Sequence, residues 1–403
     1  MGNDYLGIKS KAKIAILDAN NFYVSCERLF KPYLTERPTV VLSNNDGCII
    51  ARSKEVKDMG IKMGQPVFQL EEAQKQTITK FSSNYNLYGD ISDRIATLLK
   101  RLVPRVEVYS IDESFLDLSH ISDDKIVEEI KKIKLTIEES IGIPVSIGVA
   151  PNKTLAKLCN KISKSISQYE GVCSYWHIDK NILYNLEIED VWGIGRQWNK
   201  KLKGLNVYNV RDFIKLLPTQ VKLLMNVNGY KTWLELQEIM CHPLSISFKK
   251  PKTISCSRSF GNSIWRREQL LDSVWTFLET CHKKLVKEEL VVGKVIPFAC
   301  TNRFEDDYVY WNLSIKLFEY TDDIQSIWNQ VAPFLEQLPV RLWYKSGINF
   351  SDLKPKNCVP KTVFKEEFDN IDIPGVQNHE WKTRADFLSQ KYTTDWGQLP
   401  LVF

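Results

Sequence analysis

The sequence lacks the cysteine and histidine spacing of a zinc site or a disulfide framework. Its nine cysteines are scattered, no C-x-x-C pair occurs, and the five histidines lie far apart. An odd number of dispersed cysteines is typical of proteins in a reducing compartment. We therefore expect a cytoplasmic protein without disulfide bonds or a structural zinc ion.

Several nucleotide-binding and targeting signals are missing as well. No G-x-x-x-x-G-K-[S/T] loop occurs, which excludes P-loop chemistry, and the absence of H-R-D and D-F-G excludes a protein kinase. The N-terminal stretch has no apolar core of the kind that a signal peptide requires. No segment approaches the roughly 18 uninterrupted apolar residues of a membrane-spanning helix. We expect no membrane partner.

Charge is balanced overall but unevenly distributed. The formal net charge is +5, yet residues 249–303 alone carry 11 Lys and Arg against 5 Asp and Glu. The segment 365–403 is acidic instead, with 4 basic and 7 acidic residues. A basic module in a nearly balanced protein predicts a polyanionic partner, although a solvated basic face without a partner would have the same composition.

At 403 residues the chain is too long for one ordinary core, so several domains are expected. Strand and helix patterns mix up to about residue 185. The first strand begins at Ile14 and ends at Asp18, and a helix with apolar residues at helical spacing stops at Gly142. The chain then becomes helical for about sixty residues, and strands and helices return between about residues 250 and 353. The remainder is predicted to be an irregular polar tail.

An acidic pair interrupts the strand-like stretch VEVYSIDESFLDL, residues 106–118. Apolar and aromatic residues alternate on both sides of Asp112 and Glu113, which predicts a hairpin with the acids at or near its turn. If the strand that ends at Asp18 lies beside this hairpin, three carboxylates converge at one end of a sheet. Like charges at such distances raise each other's pKa, and cations relieve the repulsion.

An oxygen-only ligand set of this kind favours hard cations such as Mg²⁺ or Mn²⁺. Two such ions about 3.5–4 Å apart suit an in-line phosphoryl displacement. The alternative is an acidic hairpin turn with Asp18 as the N-cap of the following helix, and spacing alone does not separate the two. Asp117, on the strand after the acid pair, is interpreted as structural.

Basic side chains flank the predicted carboxylate cluster and suit a triphosphate, whose charge they would share with a metal. Three of them are predicted on one short helix and three follow the strand PVSIGVA: Arg52, Lys54, Lys57, Lys157, Lys161 and Lys164.

A second phosphate-binding signal lies in the helical segment. Gly193 and Gly195 form a G-I-G bend between two helical patterns, and Lys200 and Lys201 follow it. Backbone N–H groups at such a bend contact a phosphodiester backbone without reading bases. Two glycines in any helical turn would look similar.

Five motifs occur in the order and approximate spacing of the Y-family DNA polymerases, which the chain resembles from about Lys13 to its C-terminus. They are LDANNFYVSCE, SSNYNLYGDIS, YSIDESFLDL, GVAPNKTLAKLCNK and DVWGIG. Two further stretches, VVLSNNDGCIIARSKEVKDMGIKMGQP and KYTTDWGQLP, are similar to the UmuC branch, the catalytic subunit of bacterial polymerase V. The resemblance implies an error-prone translesion DNA polymerase of the bacterial SOS response.

The resemblance also implies a multidomain α+β fold shaped as a right hand. The implied domains are a ferredoxin-like palm with small fingers at residues 1–186 (fingers about 26–84), a helix-hairpin-helix thumb at 187–244, an α/β little finger at 245–353 and a C-terminal tail at 354–403.

Site residues follow from the motifs by position. The resemblance implies that Asp18, Asp112 and Glu113 are the catalytic carboxylates, which hold two Mg²⁺ ions together with the backbone carbonyl of Ala19. It further implies Tyr23 as the steric gate against a ribose 2′-hydroxyl. The remaining implied contacts are Phe22, Arg52, Lys57 and Lys164 to the nucleotide, and Gly193, Gly195, Lys200 and Lys201 to DNA.

The fingers depart from the pattern of many family members, which carry a tyrosine and, three residues later, an arginine on the phosphates. Lys54 and Lys57 stand at those positions, which keeps the positive charge and loses bidentate geometry. The chain ends in QLPLVF, which resembles the peptide by which bacterial polymerases bind the sliding clamp. Its apolar and amide anchors are Gln398, Leu399, Leu401 and Phe403.

The implied partners are primer–template DNA and dNTP, and by analogy with the UmuC branch a UmuD-like dimer and a RecA filament. Two other hypotheses use the same residues. A nucleotidyl cyclase has a palm-like fold with a similar acidic pair, and a catalytically inert DNA-bound scaffold could retain a relic palm. Dependence of the reaction on primer–template separates the polymerase from both.

Overall fold

The computed structural model describes residues 9–246, 250–359 and 381–389. Its strands, in chain order, are β1 (Ile14–Ala19), β2 (Thr39–Leu42), β3 (Ile49–Arg52), β4 (Thr79–Ser82), β5 (Val106–Val108), β6 (Glu113–Asp117), β7 (Val145–Ala150), β8 (Val172–Ser174), β9 (Ile254–Ile264), β10 (Leu290–Cys300), β11 (Tyr310–Asn312), β12 (Ile315–Thr321) and β13 (Trp343–Pro355). Its α-helices are α1 (Phe22–Leu29), α2 (Lys54–Asp58), α3 (Glu72–Thr77), α4 (Tyr85–Leu102), α5 (Ile126–Ile141), α6 (Lys153–Ser165), α7 (Lys180–Tyr184), α8 (Arg196–Lys203), α9 (Val210–Ile214), α10 (Pro218–Leu224), α11 (Val227–Glu235), α12 (Arg267–Lys287) and α13 (Ile324–Glu336).

The first sheet, which we call the palm sheet, has the order β5-β6-β1-β7-β8. It is antiparallel except where β7 pairs with β8. Side chains of a strand alternate between faces, and β1 shows this directly. Ala15 and Leu17 pack with α4 and α5, whereas Ile14 and Ile16 pack with α6. With both faces covered, β1 is buried along its length and its functional atoms lie at its end.

The predicted helix over residues 126–141 is confirmed. Ile126, Ile130, Ile133 and Ile137 are all buried on one face of α5. The helix ends at Gly142, whose φ of 80° lies in the left-handed region that favours glycine.

The close approach of α6 to β7 depends on Gly148. A Cβ atom at this position would lie 2.2 Å from the backbone nitrogen of Asn160 and 2.4 Å from the carbonyl oxygen of Ala156. Glycine therefore lets the helix lie directly on the strand, and this contact positions the lysines of α6 relative to the end of β1.

A small sheet of order β3-β2-β4, the fingers sheet, lies beside the palm sheet and has its own apolar core. The strand β2 ends before a turn at Asn44–Asp46, in which Asn45 and Asp46 adopt left-handed backbone conformations. One prediction is wrong here. Arg52 is the last residue of β3 rather than part of a helix, because α2 begins only at Lys54.

The helices α7 to α11 form the predicted helical module. Their apolar side chains share a cluster with α6, so this module packs on the palm. The buried carboxylate of Glu235 accepts hydrogen bonds from Thr154 N and Oγ1 at 3.0 and 2.6 Å and from His242 N at 2.9 Å. These bonds tie the end of α11 to the start of α6.

The third domain contains a sheet of order β11-β10-β13-β9, with β12 also paired to β10. The helices α12 and α13 cover one face and meet through a T-shaped pair of Trp275 and Trp328, with ring centroids 5.2 Å apart. The mixed α+β architecture matches the predicted fold class. The exact domain bounds stay predictions.

Candidate active site

Two strands of the palm sheet bring the three predicted carboxylates to one edge. In the antiparallel pairing of β1 with β6, Asp18 lies directly opposite Glu113. The backbone of the next residue pair continues the contact, since Ala19 N donates to the carbonyl oxygen of Asp112 at 2.9 Å. Residues opposed in this way have Cβ atoms about 4.5–5.5 Å apart. The hairpin predicted from the sequence therefore places the acids where the end of β1 meets them.

The alternative interpretation of Asp18 as a helix N-cap is wrong. The N-cap of α1 is Asn21, which has a left-handed backbone with φ of 50°. Asp18 remains in the strand, and burial raises the pKa of its carboxyl group. Nearby Asp112 and Glu113 raise this pKa further, whereas the ion pair with Lys164 lowers it. The fold therefore penalises the ionised Asp18 even with Lys164 beside it, because burial outweighs the ion pair.

Two lysines of α6 pair with these carboxylates. Lys164 Nζ forms an ion pair with Asp18, and Lys157 Nζ lies 2.6 and 2.8 Å from the two carboxylate oxygens of Glu113. Ser110 Oγ donates to Asp112 Oδ1 at 2.6 Å. The flanking lysines were expected from the sequence, but the specific pairing of Lys157 with Glu113 was not, because it joins residues 44 apart.

Among the residues that the structure describes, no group of three or more His, Cys, Asp or Glu side chains is already arranged to hold a metal ion. The reason is local: Glu113 is turned towards Lys157 and Asp18 towards Lys164. The chemistry of the donor set still fits a hard cation, since the three side chains are all carboxylates and Ala19 lines the same cavity as Asp18 and Asp112.

A cavity of about 320 Å³ opens next to the carboxylates. Its lining brings together the predicted catalytic and nucleotide-binding residues Asp18, Ala19, Phe22, Tyr23, Arg52, Lys57 and Asp112. Arg52 reaches it from β3, and Lys57 from α2. The pKa of Lys57 is lowered, first by desolvation and then by the neighbouring charges of Arg52 and Lys164. Crowded cations of this kind suit an anionic ligand.

A neighbouring cavity of about 550 Å³ is lined by Lys54, Lys57 and Lys164. Lys164 thus borders this basic cavity while pairing with Asp18 of the first one. Lys57 lines both cavities, so the two adjoin at this basic side chain.

The aromatic residues after β1 pack against other aromatic rings. Phe22 is buried, and the ring of Tyr23 lies between Phe22, at a centroid distance of 5.8 Å, and Tyr88, at 4.5 Å. Tyr88 was not singled out in the sequence, although its motif SSNYNLYGDIS was. Its helical spacing from Tyr85 was a signal, since residues three apart share a helix face.

The G-I-G bend lies at the N-terminus of α8. Gly193 has a φ of 90°, a conformation that favours glycine, and Gly195 is the N-cap of the helix. Lys200 and Lys201 are exposed on α8, with the Lys201 ammonium 4.8 Å from the ring centroid of Trp198. The element before the bend is a 3₁₀ turn at Ile188–Asp190, not the predicted α-helix.

The predicted clamp-binding residues Gln398, Leu399, Leu401 and Phe403 lie outside the described residues. Every described cysteine is a free thiol. No helix in the described part of the chain is long and apolar enough to cross a membrane.

Comparison with known proteins places this site in a family. Residues 17–161 match the impB/mucB/samB family, residues 251–362 match the C-terminal domain of that family, and residues 373–402 match a domain of unknown function. The chain is 34% identical to protein SamB of Salmonella typhimurium, over 96% of this chain and 98% of that protein. It is 32% identical to protein UmuC of Salmonella typhimurium (strain LT2), over 96% and 99%.

More distant relatives and solved structures that are similar to this chain are named DNA polymerases. DNA polymerase IV 1 of Bacillus subtilis (strain 168) is 28% identical, over 94% of this chain and 90% of that protein. A Y-family DNA polymerase chimera of known structure superposes with a TM-score of 0.68 at 20% identity, covering 84% of this chain and 98% of that one. The insertion ternary complex of Dbh DNA polymerase gives a TM-score of 0.58 at the same identity and coverage. The predicted right-hand fold is confirmed, and the chain belongs to the impB/mucB/samB family of UmuC-type, Y-family DNA polymerases.

Proposed function

We propose that this chain extends a DNA primer with dNTPs opposite damaged template bases, and that Asp18, Asp112 and Glu113 form its catalytic centre. One observation carries the assignment. The pairing of β1 with β6 sets Asp18 opposite Glu113, beside a cavity that is also lined by Tyr23 and Arg52. A carboxylate cluster next to a basic cavity is the arrangement that a metal-bound triphosphate requires.

The carboxylates are proposed to hold two Mg²⁺ ions, or Mn²⁺ in their place, with the Ala19 carbonyl as an additional ligand. Support comes from the raised pKa of Asp18, because burial beside two further acids makes its charge costly without a cation. When bound, the ions would stabilise negative charge on the phosphate oxygens and on the attacking and leaving oxygens. Lys157 and Lys164 pair with Glu113 and Asp18, so these lysines would share the carboxylate charge with the ions.

The protein's own side chains bind and orient the reactants. Arg52, Lys57 and Lys164 are proposed to hold the triphosphate, so that the primer 3′-hydroxyl attacks the α-phosphorus and pyrophosphate leaves. The ring of Tyr23 would fill the space beside the sugar C2′ and exclude a 2′-hydroxyl, with Phe22 packed next to it. The reaction needs no protein nucleophile.

DNA is proposed to be held mainly through phosphates. The exposed bend of Gly193 and Gly195 with Lys200 and Lys201 would contact one strand, and the basic third domain would extend the grip. Small fingers enclose the new base pair loosely, which reduces shape selection and admits a damaged template base at a cost in fidelity.

The expected setting is the cytoplasm, because the free thiols of the described cysteines suit a reducing compartment. A UmuD-like dimer and a RecA filament are the proposed partners in the SOS response, and co-purification from cells tests them. The terminal QLPLVF is proposed to bind the sliding clamp. Deleting these six residues should abolish clamp-stimulated synthesis, and unchanged stimulation would contradict the assignment.

Single-nucleotide incorporation on a primer–template with Mg²⁺ tests the catalytic assignment. The double variant Asp112→Ala, Glu113→Ala should lose extension while retaining DNA binding. Asp117→Asn is the matched control, because Asp117 lies on the same strand but pairs with Arg105 at 3.0 Å, away from the site. Extension by the double variant would contradict the proposal. Nucleotide conversion without primer–template would indicate the cyclase hypothesis instead.

A further inference from the structure

The segment Trp381–Ser389, which we call the strap, lies within the matched domain of unknown function. It has no regular secondary structure, as predicted for a tail. Residues 382–388 are exposed, but both ends of the segment are held: Trp381 packs partly buried against the third domain, and Ser389 is only 5% exposed, in contact with Asn84 and Glu27. The segment is irregular, as predicted for the tail, but the sequence did not predict that its ends are anchored to two domains.

The first residue of the strap is anchored in the third domain. Trp381 packs against the domain's core and lies 5.9 Å from the ring of Phe260 and 5.4 Å from that of Phe277, centroid to centroid. Its indole Nε1–H donates to Asp272 Oδ2 at 2.7 Å. A large aromatic residue with its polar atom satisfied is a typical buried anchor.

The middle of the strap meets the turn after β2. Asn45 Oδ1 accepts from Arg384 N at 2.8 Å, and Asn45 Nδ2 donates to the carbonyls of Ser259 and Phe260 on β9 at 2.9 and 3.0 Å. One amide side chain thus holds the fingers, the strap and the third domain together. Asp46 Oδ2 adds a bond from Asp386 N at 2.7 Å.

The far end of the strap enters the palm and fingers. Ser82 N donates to the carbonyl of Phe387 at 3.0 Å, and Phe387 N donates to Ser82 Oγ at 2.9 Å. Ser389 Oγ accepts from Asn84 Nδ2 at 2.8 Å and donates to Glu27 Oε1 at 3.1 Å. Glu27 is 1% exposed, so this last bond satisfies a buried carboxyl group.

We propose that the strap is an intramolecular clasp that fixes the third domain against the fingers and thereby sets the position from which that domain grips DNA. Its anchors lie in both the third domain and the fingers, and they combine ring packing at Trp381, backbone hydrogen bonds at Arg384, Asp386 and Phe387, and side-chain hydrogen bonds at Ser389. A domain held in place before DNA arrives loses less conformational freedom on binding. The clasp also explains why the stretch SNND, which the polymerase chemistry does not use, is polar and left-handed: Asn45 and Asp46 are its receptors.

Hydrogen–deuterium exchange on the full-length protein tests the docking directly. Asn45→Gly removes the receptor amide and keeps the left-handed backbone, and Trp381→Ala removes the anchor at the other end. Both variants should exchange faster than wild type at residues 82, 259–261 and 384–387, while β1 and β7 stay protected. Lys382→Ala is the matched control, because this exposed side chain lies on the strap but only its backbone carbonyl is used, by Gly261 N at 2.8 Å. Unchanged exchange in both variants would overturn the clasp.

The effect on DNA rests on the proposed function and is measured separately. We expect a rise on the order of tenfold in the dissociation constant for primer–template in Asn45→Gly and Trp381→Ala. The single-turnover rate at saturating DNA should be unchanged, and Lys382→Ala should match wild type. Faster exchange with wild-type DNA affinity would overturn the role in DNA binding. A wild-type protein that neither binds nor extends primer–template would contradict the proposed function and leave the exchange result to decide the clasp.

Discussion

The ring of Tyr23 stacks on that of Tyr88, with centroids 4.5 Å apart and an interplanar angle of 16°. Tyr88 is fully buried, and its hydroxyl donates to Glu27 Oε1 at 2.8 Å. Burial raises the pKa of Glu27, whose second hydrogen-bond donor is Ser389 of the strap. Tyr23, which is proposed to select the sugar, therefore packs against a buried ring, and a hydrogen bond to Glu27 sets the orientation of that ring.

Replacing Tyr88 should weaken sugar selection without removing catalysis. A stacked aromatic pair contributes about 0.5–1.5 kcal/mol, so Tyr88→Leu should lower the preference for dNTP over rNTP roughly 2- to 10-fold. Tyr88→Phe keeps the stack and should stay close to wild type. The ratio of kcat/KM for the two nucleotides is the measurement, with Tyr23→Ala as the variant that loses the gate itself. Equal selectivity in Tyr88→Leu and wild type would contradict this positioning role.

Extension should fall on acidification through the pKa of Asp18, which burial raises above its usual value of 3.8. Protonation removes the charge that binds a cation, and the cation competes with the proton for the same oxygens. A higher Mg²⁺ concentration should therefore shift the acidic limb of the rate profile to lower pH. Single-turnover incorporation between about pH 5 and about pH 8 at two Mg²⁺ concentrations measures the shift. A limb that does not respond to Mg²⁺ would show that another group controls it.

The same raised pKa has a consequence for stability in the absence of divalent cations. The folded state holds the Asp18 proton more tightly than the unfolded state, so this stabilisation is present below the unfolded pKa and lost as pH rises through the folded pKa. At neutral pH, Asp18→Asn should unfold at a higher temperature than wild type in EDTA. Asp117→Asn should not, because the carboxylate that it replaces pairs with Arg105 away from the other two acids. A lower unfolding temperature for Asp18→Asn would contradict the electrostatic penalty.

Lys164 should contribute to nucleotide binding where Lys161 does not. Lys164 pairs with Asp18 and lines the basic cavity, whereas Lys161, one turn earlier on α6, pairs with Asp190 at 2.9 Å. A charge-assisted hydrogen bond to a phosphate contributes about 1.5–3 kcal/mol, so Lys164→Ala should lower kcat/KM for dNTP roughly 10- to 150-fold. Lys161→Ala should change it less than about threefold. Equal losses of kcat/KM in the two variants would show that the effect depends on the net positive charge of α6 and not on the position of Lys164.

The bend at Gly193 and Gly195 is tested through salt dependence. Each phosphate contact contributes about 0.9 to the slope of log K against log salt on duplex DNA, so Lys200→Ala should reduce that slope by about one. Lys203 is the control on the same helix, because its ammonium lies 3.7 and 3.6 Å from the carboxylates of Glu187 and Glu189. Fluorescence anisotropy over a salt series measures both. A slope unchanged in Lys200→Ala would remove this lysine from the interface.

The helical spacing of isoleucines in α5, the apolar strand β1 and the glycine stop at Gly142 were predictable, because each depends on residues near one another in the chain. The acid pair at the hairpin was predictable for the same reason, since the alternation of VEVYSIDESFLDL places Asp112 at the turn and Glu113 at the start of β6. The location of Arg52 was missed because a strand end and a helix start differ there by only two residues.

Partners far apart in the chain were not predictable. Lys157 and Glu113 are 44 residues apart, Tyr88 and Glu27 are 61 apart, and Ser389 lies 362 residues from Glu27. Sequence motifs marked most of these segments as important but did not state which side chains meet.

The sequence by itself determined the family, the order of the motifs, and the strands and helices whose apolar period matches one buried face. Local periodicity suffices for this because the residues that a helix or strand buries recur along the chain with the period of that element. Only the tertiary structure decided that Lys157 and Lys164 balance the carboxylates, that Tyr88 backs Tyr23, and that the strap joins the third domain to the fingers. Those contacts depend on how separate elements pack, and packing involves distances that no local pattern encodes.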